Sequence, residues 1–539
     1  MSSTGYDTVP GLLAEQAARR PQAAALYYGG RTISFAELEA MSRRVAGGLA
    51  GLGVEAGDRV ALWLPNTPAY VALWLACARL GAIAVAVNTR FRSAEVGDIV
   101  GRSGAKVLAL WPGFRDIDFL GILAEVDPQA LAKLETLIVY DEDGLARELP
   151  ATTAHCRKVA YRGLAAGPAS AIDRATPETP VNIFTTSGTT SRPKFVLHAQ
   201  GPVARHARTV ARKFGYDRGG ALLNFLPLCG VFGFNMMTAS LAAGAPMVLM
   251  SAFEAEAAFR LIEAHDVRYM NAPDGAIDAL LRVSPHRIAL PRVEACGFAY
   301  FDASLVDIAE RAEARGVKLV GLFGMSECQA LFARQDPGEP LQKRKLGGGY
   351  LVSEAARVRA RDPESGRILP HGEQGELEVT GPSLCLGYFE NPEATAAAYT
   401  EDGYLRTGDF GYTTAEDHFV YVARMGDALR LGGFLVAPAE IESQLQTHPA
   451  VDGAQVVGVE TPRGIRPFAF VTLKPGQRFD ETALIRHCLS GLARFKAPIR
   501  VLPVQEFPTT KSANGTKIQR VRLREMALAA LAEAESRSA

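Results

Sequence analysis

At 539 residues the chain is too long for one compact core, so at least two domains are expected. Its 58 Lys and Arg balance 58 Asp and Glu, which argues against nucleic acid or an anionic membrane as the main partner. The seven cysteines (Cys77, Cys156, Cys229, Cys296, Cys328, Cys385, Cys488) are scattered without a C-x-x-C pair, so neither a disulfide framework nor a zinc site is expected and a cytoplasmic location fits.

The first residues, Met1 to Asp7, lack a basic stretch followed by an apolar one, so no signal peptide is expected. Ser34 and Glu37 make a capping box, and Leu38, Met41, Val45, Leu49 and Leu52 repeat at helical spacing until Gly51 and Gly53 stop the helix. Asp58 to Leu64 reads as a strand, Ala69 to Leu80 as a helix, and Ile83 to Val87 and Ala105 to Leu110 as further strands. The most apolar region, Ala61 to Val87, is broken by Pro65, Asn66, Pro68 and Arg79 and does not qualify as a membrane span. The alternation predicts α/β layers around largely parallel sheets. Gly375 to Gly381 alternates at period two, which predicts a more antiparallel β subdomain before Thr407. The Ala-rich run from Met526 to Glu535 reads as a closing helix.

A short apolar run, Val181-Asn182-Ile183, feeds Phe184-Thr185-Thr186-Ser187-Gly188-Thr189-Thr190-Ser191-Arg192-Pro193-Lys194. Small side chains let backbone N–H groups approach anionic oxygens, hydroxyls donate further bonds, and Lys194 adds charge, so the loop suits polyphosphate. It is not a Walker A loop, because no G-x-x-x-x-G-K-[ST] occurs. Downstream come Phe323-Gly324-Met325-Ser326-Glu327, Thr407-Gly408-Asp409, Arg424 fifteen residues on (424 − 409), the Gly432-Gly433 pair, and Gly515-Thr516-Lys517-Ile518.

In that order and combination these motifs resemble the adenylate-forming superfamily, acyl-CoA synthetase branch, over nearly the whole chain from Arg31 to about Met526. The resemblance implies an α/β fold with a large multi-layer N-terminal domain (1–423), a hinge (424–427) and a mobile α+β C-terminal lid (428–539). It implies ATP, AMP in the intermediate, Mg²⁺ and coenzyme A. Thr186, Ser187, Gly188, Thr189, Thr190 and Lys194 would hold the phosphates. Gly297, Phe298 and Ala299 would border adenine, Phe323 would stack on it, and Gly324 and Met325 would complete the nucleotide site. Ser326 would bond the α-phosphate, Glu327 would hold Mg²⁺, and Asp409 and Arg424 would grip the ribose. Gly432 and Gly433 would admit the pantetheine arm. Lys517 would reach the carboxylate and α-phosphate in the adenylation step, with Lys511 as the competing lysine.

Asn224 to Asn235 corresponds to the acyl-site segment, giving Cys229, Gly230 and Phe234, with Gly321 and Met325, as the acyl pocket. Asn235 cannot pair an ammonium group, and Gly230 stands where a ring is common, so a neutral, bulky cyclic or aromatic carboxylic acid is expected. Phe298 and Tyr300 replace small residues beside the adenine, a departure that leaves open a ligase working mainly on acyl-adenylate made by another enzyme. Loading of a carrier protein is the second alternative. The chain ends 22 residues after Lys517 (539 − 517), so the expectation is a carrier on a separate chain. An oxygenase sharing the first step and a degenerate scaffold are the remaining rivals; the intact Glu327, Asp409, Arg424 and Lys517 speak against the scaffold.

Overall fold

A computed structural model describes residues 7–115, 117–140, 148–186, 193–300, 305, 307–425, 429–431, 434–436, 438–461, 464–492, 494–512 and 515–538, with backbone alone at 430, 434, 435, 510–512, 515–517 and 534–538. The fold is mixed α/β, built on an eight-stranded and a thirteen-stranded sheet.

Six strands of the smaller sheet run parallel, in the order Pro180–Thr186, Ile83–Ala86, Arg59–Trp63, Val107–Leu110, Thr136–Val139, Arg157–Ala160. Lys194–Ala199 and Gly387–Tyr388 continue it antiparallel at one edge. Val60 and Leu62 enter one core while Ala61 and Trp63 enter another, so period-two alternation serves a sheet covered on both faces. The apolar stretch Ala61 to Val87 is explained by this burial. Its helix, Pro68–Leu80, is buried at every residue. Among the described residues no helix is long and apolar enough to cross a membrane.

Half of the larger sheet is parallel, ordered Leu319–Phe323, Ala295–Ala299, Val267–Pro273, Ala221–Asn224, Met247–Leu249, Ala24–Tyr28. From Ala333–Arg334 outward it turns antiparallel through Gly348–Leu351, His418–Arg424, Leu405–Ala415, Gly375–Thr380 and Arg357–Arg361. The antiparallel arrangement expected from the alternation at 375–381 is there, but it runs past Thr407, through Leu405–Ala415 and His418–Arg424. Helices Gln200–Phe214 and Val231–Ala243 lie between the sheets. In the second helix, Phe234, Met237 and Leu241 join the core of the smaller sheet, while Phe232, Met236 and Ala239 join that of the larger.

From Leu429 onward the strands form separate small sheets. Val451–Thr461, Gly464–Leu473 and Arg500–Pro503 make one, with two hairpins beside it in sequence. Ile441, Leu445, Val456 and Leu484 form one core there, and Phe468, Phe470 and Leu523 another. The closing helix is Arg520–Ser538, six residues longer at its start than the Ala-rich run suggests (526 − 520), because its first turn is arginine-rich.

The capping box forms as read. Ser34 Oγ accepts from Glu37 N at 3.1 Å, and Glu37 Oε2 accepts from Ser34 N at 2.7 Å. The helix it starts, Phe35–Gly51, presents Glu39 and Ser42 to the fully buried Arg79 of the Pro68–Leu80 helix. Arg79 donates to Glu39 Oε2 at 2.5 Å, Asp173 Oδ2 at 3.0 Å and Ser42 Oγ at 3.0 Å. Arg79→Ala should therefore leave a cavity at a fully buried position and unpair one oxygen of Glu39, whose other oxygen stays on Arg43, at a cost of about 2–4 kcal/mol. The check is the thermal midpoint against wild type; an unchanged midpoint would refute this role.

Candidate active site

The strand Pro180–Thr186 delivers the hydroxyl-rich loop, and Lys194–Ala199 receives it, with Thr186 and Lys194 as cross-strand partners. Ser187, Gly188, Thr189 and Thr190 lie outside the described residues. Lys194 Nζ stands 4.6 Å above the ring of Tyr388, whose own two-residue strand pairs with Lys194–Ala199. Tyr388 donates its hydroxyl to Glu327 Oε1 at 3.0 Å, linking the lysine's ring platform to the buried carboxylate.

Glu327 sits in the 3₁₀ turn Ser326–Cys328, just beyond the end of Leu319–Phe323. That turn is tight. Gln329, Ala330 and Leu331 have φ of 67°, 52° and 42°, and a Cβ on Gly324 would lie 2.5 Å from Ala330 Cα. Only glycine permits so close an approach. Two buried histidines reach the turn from the other sheet's side. His198 Nε2 donates to the Ser326 carbonyl at 2.8 Å, and His206 Nε2 donates to that of Ala330 at 2.9 Å. Burial pushes both rings down to about 4, so they stay neutral at physiological pH.

Asp409 and Arg424 face each other across a hairpin, and Arg424 Nε meets Asp409 Oδ1 at 3.1 Å. Burial pushes Asp409 up to about 7, Arg424 opposes this, and Glu327 and Glu376 add to the rise. Phe323 is buried, with its ring edge-on to Phe419 at 5.0 Å and tilted to Tyr421 at 5.9 Å.

A cavity of about 300 Å³ lies beside the parallel strands, on the face that carries Gly297 and Leu322. Tyr216, Tyr269, Asn271 and Arg334 also line it. A Cβ on Gly297 would come 2.2 Å from Asn271 Oδ1 and 2.8 Å from Leu322 Cδ1, so glycine is required by this packing.

Residues 13–389 match the family model of the AMP-binding enzymes, and residues 440–514 that of the AMP-binding enzyme C-terminal domain. The chain belongs to the AMP-binding enzyme family. It is 30% identical over 524 residues to a sulfoacetate–CoA ligase of Cupriavidus necator, covering 96% of this chain and 97% of that one. It is 31% identical over 504 residues to a 2-succinylbenzoate–CoA ligase of Geobacillus kaustophilus, covering 93% and 95%. ATP-bound MatB from Rhodopseudomonas palustris superposes with a TM-score of 0.82 at 26% identity, covering 96% of this chain and 99% of that one. The adenylate-forming, CoA-ligase class expected from the motifs stands.

In this AMP-binding enzyme Tyr388 links Lys194 to Glu327, Asp409 pairs with Arg424, and Glu327 is near enough to act electrostatically on Asp409, with Ser326 beside Glu327. Several other expected residues point elsewhere. Phe298 is buried in the core with Ile308 and Ala312, so its ring is not available to crowd a nucleotide, while Tyr300 is exposed. Phe234 packs edge-on to Trp74 at 4.9 Å and Phe184 at 5.0 Å, inside the core of the smaller sheet. Cys229 and Gly230 lead into the Val231–Ala243 helix, whose N-cap is Gly230. None of Cys229, Gly230, Phe234, Gly321 and Met325 lines the cavity. Gly432 and Gly433 lie outside the described residues, as does the side chain of Lys517. Tyr388, Leu322 and Arg334 had escaped the sequence reading. Leu322 was findable, since it shares strand parity with Val320 rather than Gly321.

Gly321 shows what that parity costs. Its Cβ position lies 1.9 Å from the Leu346 carbonyl oxygen, on the opposite face from Leu322. Gly321→Ala should lower stability by about 1–3 kcal/mol through this backbone clash and leave the ranking of acid substrates unchanged. A stable variant with altered acid preference would return Gly321 to the pocket.

Proposed function

We propose that this AMP-binding enzyme is an ATP-dependent acyl-CoA ligase for a bulky cyclic or aromatic acid lacking an ammonium group. The observation that carries the reading is the set Lys194, Glu327, Asp409 and Arg424 on the family's motif positions, with Tyr388 bridging Lys194 and Glu327. A carboxylate and ATP would give acyl-adenylate and pyrophosphate, and CoA thiolate would then displace AMP. Adenylation turns a poor electrophile into a mixed anhydride with a good leaving group.

In this reading Lys194 and the hydroxyl-rich loop hold the phosphates, and Ser326 bonds the α-phosphate. Asp409 and Arg424 grip the ribose. Glu327 suits a hard cation, because its carboxylate is nearly buried and Oε2 has no hydrogen-bond partner among the described residues. Mg²⁺ held there would neutralise phosphate charge. Lys517, carried on the C-terminal hairpin Thr509–Ser512 and Gly515–Ile518, would meet charge building between carboxylate and α-phosphorus. Gly432 and Gly433 would admit the thiol arm after the lid (428–539) turns about 424–427. The reading of a ligase dependent on another enzyme's acyl-adenylate loses its main support with Phe298 in the core.

Pyrophosphate exchange and mass spectrometry of CoA products, over aromatic, alicyclic and fatty acids, test the reading. Exchange without any thioester would instead favour a carrier-protein acceptor. Lys517→Ala should cost about 3 kcal/mol or more in acyl-adenylate formation while sparing thioester formation from supplied acyl-adenylate. Lys511→Ala is the control, and a crippled control with a mild Lys517→Ala would reverse the assignment.

Asp409 supplies a pH signature. A carboxylate with its proton affinity raised to about 7 is protonated below that pH and ionised above it, and only the ionised form accepts both ribose hydroxyls. AMP affinity should therefore rise about tenfold per pH unit between roughly 5.5 and 7 and level off above, as calorimetry would read it. Dividing by the Asp409→Asn profile removes the titration of the nucleotide itself. A ratio flat with pH would exclude Asp409 as the group responsible.

A further inference from the structure

The 300 Å³ cavity contains a cation that, among the described residues, no carboxylate meets at ion-pair distance. Arg334 is half-buried, with its guanidinium 4.5 Å above the Phe214 ring. Its Nε reaches the Gln335 carbonyl only at 3.5 Å, and among the described residues no carboxylate lies within ion-pair distance of it. The other charged groups of the lining cancel, Lys213 and Arg218 against Glu294 and Asp336. One positive charge is therefore in surplus, and Asp336 acts on Arg334 only from beyond ion-pair distance. An arginine stays protonated even where burial disfavours it, so it needs an anion or water.

Beside the charged groups the lining offers the polar Tyr216, Tyr269 and Asn271 among apolar residues such as Met270, Val320 and Leu322. The rings of Tyr216 and Tyr269 stand 5.2 Å apart, Asn271 Nδ2 donates to Tyr216 Oη at 3.1 Å, and the buried Tyr269 hydroxyl has no hydrogen-bond partner among the described residues. The volume suits one ring or a short chain, at the small end of the roughly 300–1,000 Å³ range of ligand pockets. Its location joins it to the proposed chemistry. Gly297 and Leu322 line it from parallel neighbouring strands, and Leu322 lies four residues before Ser326 (326 − 322), on the order of 10 Å of chain. An acid with its reacting carboxylate at the strand ends would direct its far end along this face.

We propose that the acid carries a second carboxylate at the end remote from the reacting one, and that Arg334 receives it in this cavity. The inference rests on the acyl-CoA ligase reading and replaces its bulky acid with a dicarboxylic acid carrying a short chain or single ring between the carboxylates, the size the 300 Å³ cavity admits. Asn235 argued only against an ammonium group, and the expectation of an otherwise uncharged acid gives way here.

The test uses the full chain and matched acids: hexanoate with adipate, and 3-phenylpropanoate with 3-(4-carboxyphenyl)propanoate. In pyrophosphate exchange the diacid should exceed its partner in kcat/KM by roughly tenfold or more, since a half-buried guanidinium without an ion-pair partner favours an anion over a neutral chain end. Arg334→Met should collapse that ratio at least tenfold, with Arg334→Lys between the two. A wild-type ratio near one, or a ratio that survives Arg334→Met, overturns the inference and leaves the ligase reading intact. If no acid supports exchange, the ligase reading fails, and calorimetry with adipate then decides the cavity alone. Binding to wild type but not to Arg334→Met retains an anion site, and no binding to either removes it.

Discussion

The two histidine-to-carbonyl hydrogen bonds, from His198 to Ser326 and from His206 to Ala330, fix the turn that bears Glu327 against the smaller sheet. His198 belongs to the strand that begins with Lys194, and His206 to the helix that follows it. The carbonyls they reach belong to the turn leaving the larger sheet, so the strand that begins with Lys194 and the turn bearing Glu327 have one fixed relation. Each such bond contributes only about 1 kcal/mol net, but an abandoned buried carbonyl costs about 1–3 kcal/mol. Because both rings stay neutral, the pair donates the same two protons across the working pH range.

Around that turn the charges are arranged against their own interest. Burial raises the proton affinity of Asp409 most, and Glu327 and Glu376 raise it further against the pull of Arg424. A chain with no net charge has thus gathered carboxylates where a polyphosphate is proposed to bind. Such a site becomes favourable only when positive charge arrives with the ligand or is already poised beside it, as Lys194 and Arg424 are. The strain in protonation is the physical counterpart of the strain in backbone at Gln329, Ala330 and Leu331.

Local signals were legible in the sequence and orientation was not. The Ser34–Glu37 box, the stop after Gly51 and the alternation at 375–381 depend on neighbours a few positions away, and the structure follows them. The family motifs identified the strands and turns that carry Glu327, Asp409 and Arg424. What the motifs could not supply was the facing of single side chains. Phe234 and Phe298 occupy the right segments but enter cores, because helix rotation and strand parity are decided by partners far away in sequence. Gly321 and Leu322 differ by one position and lie on opposite faces. Tyr388 carries no local pattern at all, and its role emerges only where Gly387–Tyr388 pairs with Lys194–Ala199.

The interval between Asp409 and Arg424 has a geometric origin in the antiparallel ladder Leu405–Ala415 and His418–Arg424, where the two residues are direct partners. The ladder closes near Glu416 and Asp417, away from the charged pair, and passes two irregularities on the way. Lengthening this hairpin at its tip by one rung adds a residue to each arm and leaves the pair opposed. A single residue inserted within one arm turns Asp409 or Arg424 to the wrong side of the sheet unless a bulge absorbs it. In divergent lineages the spacing should accordingly drift in steps of two, with odd intervals favoured, and bulges should mark the exceptions.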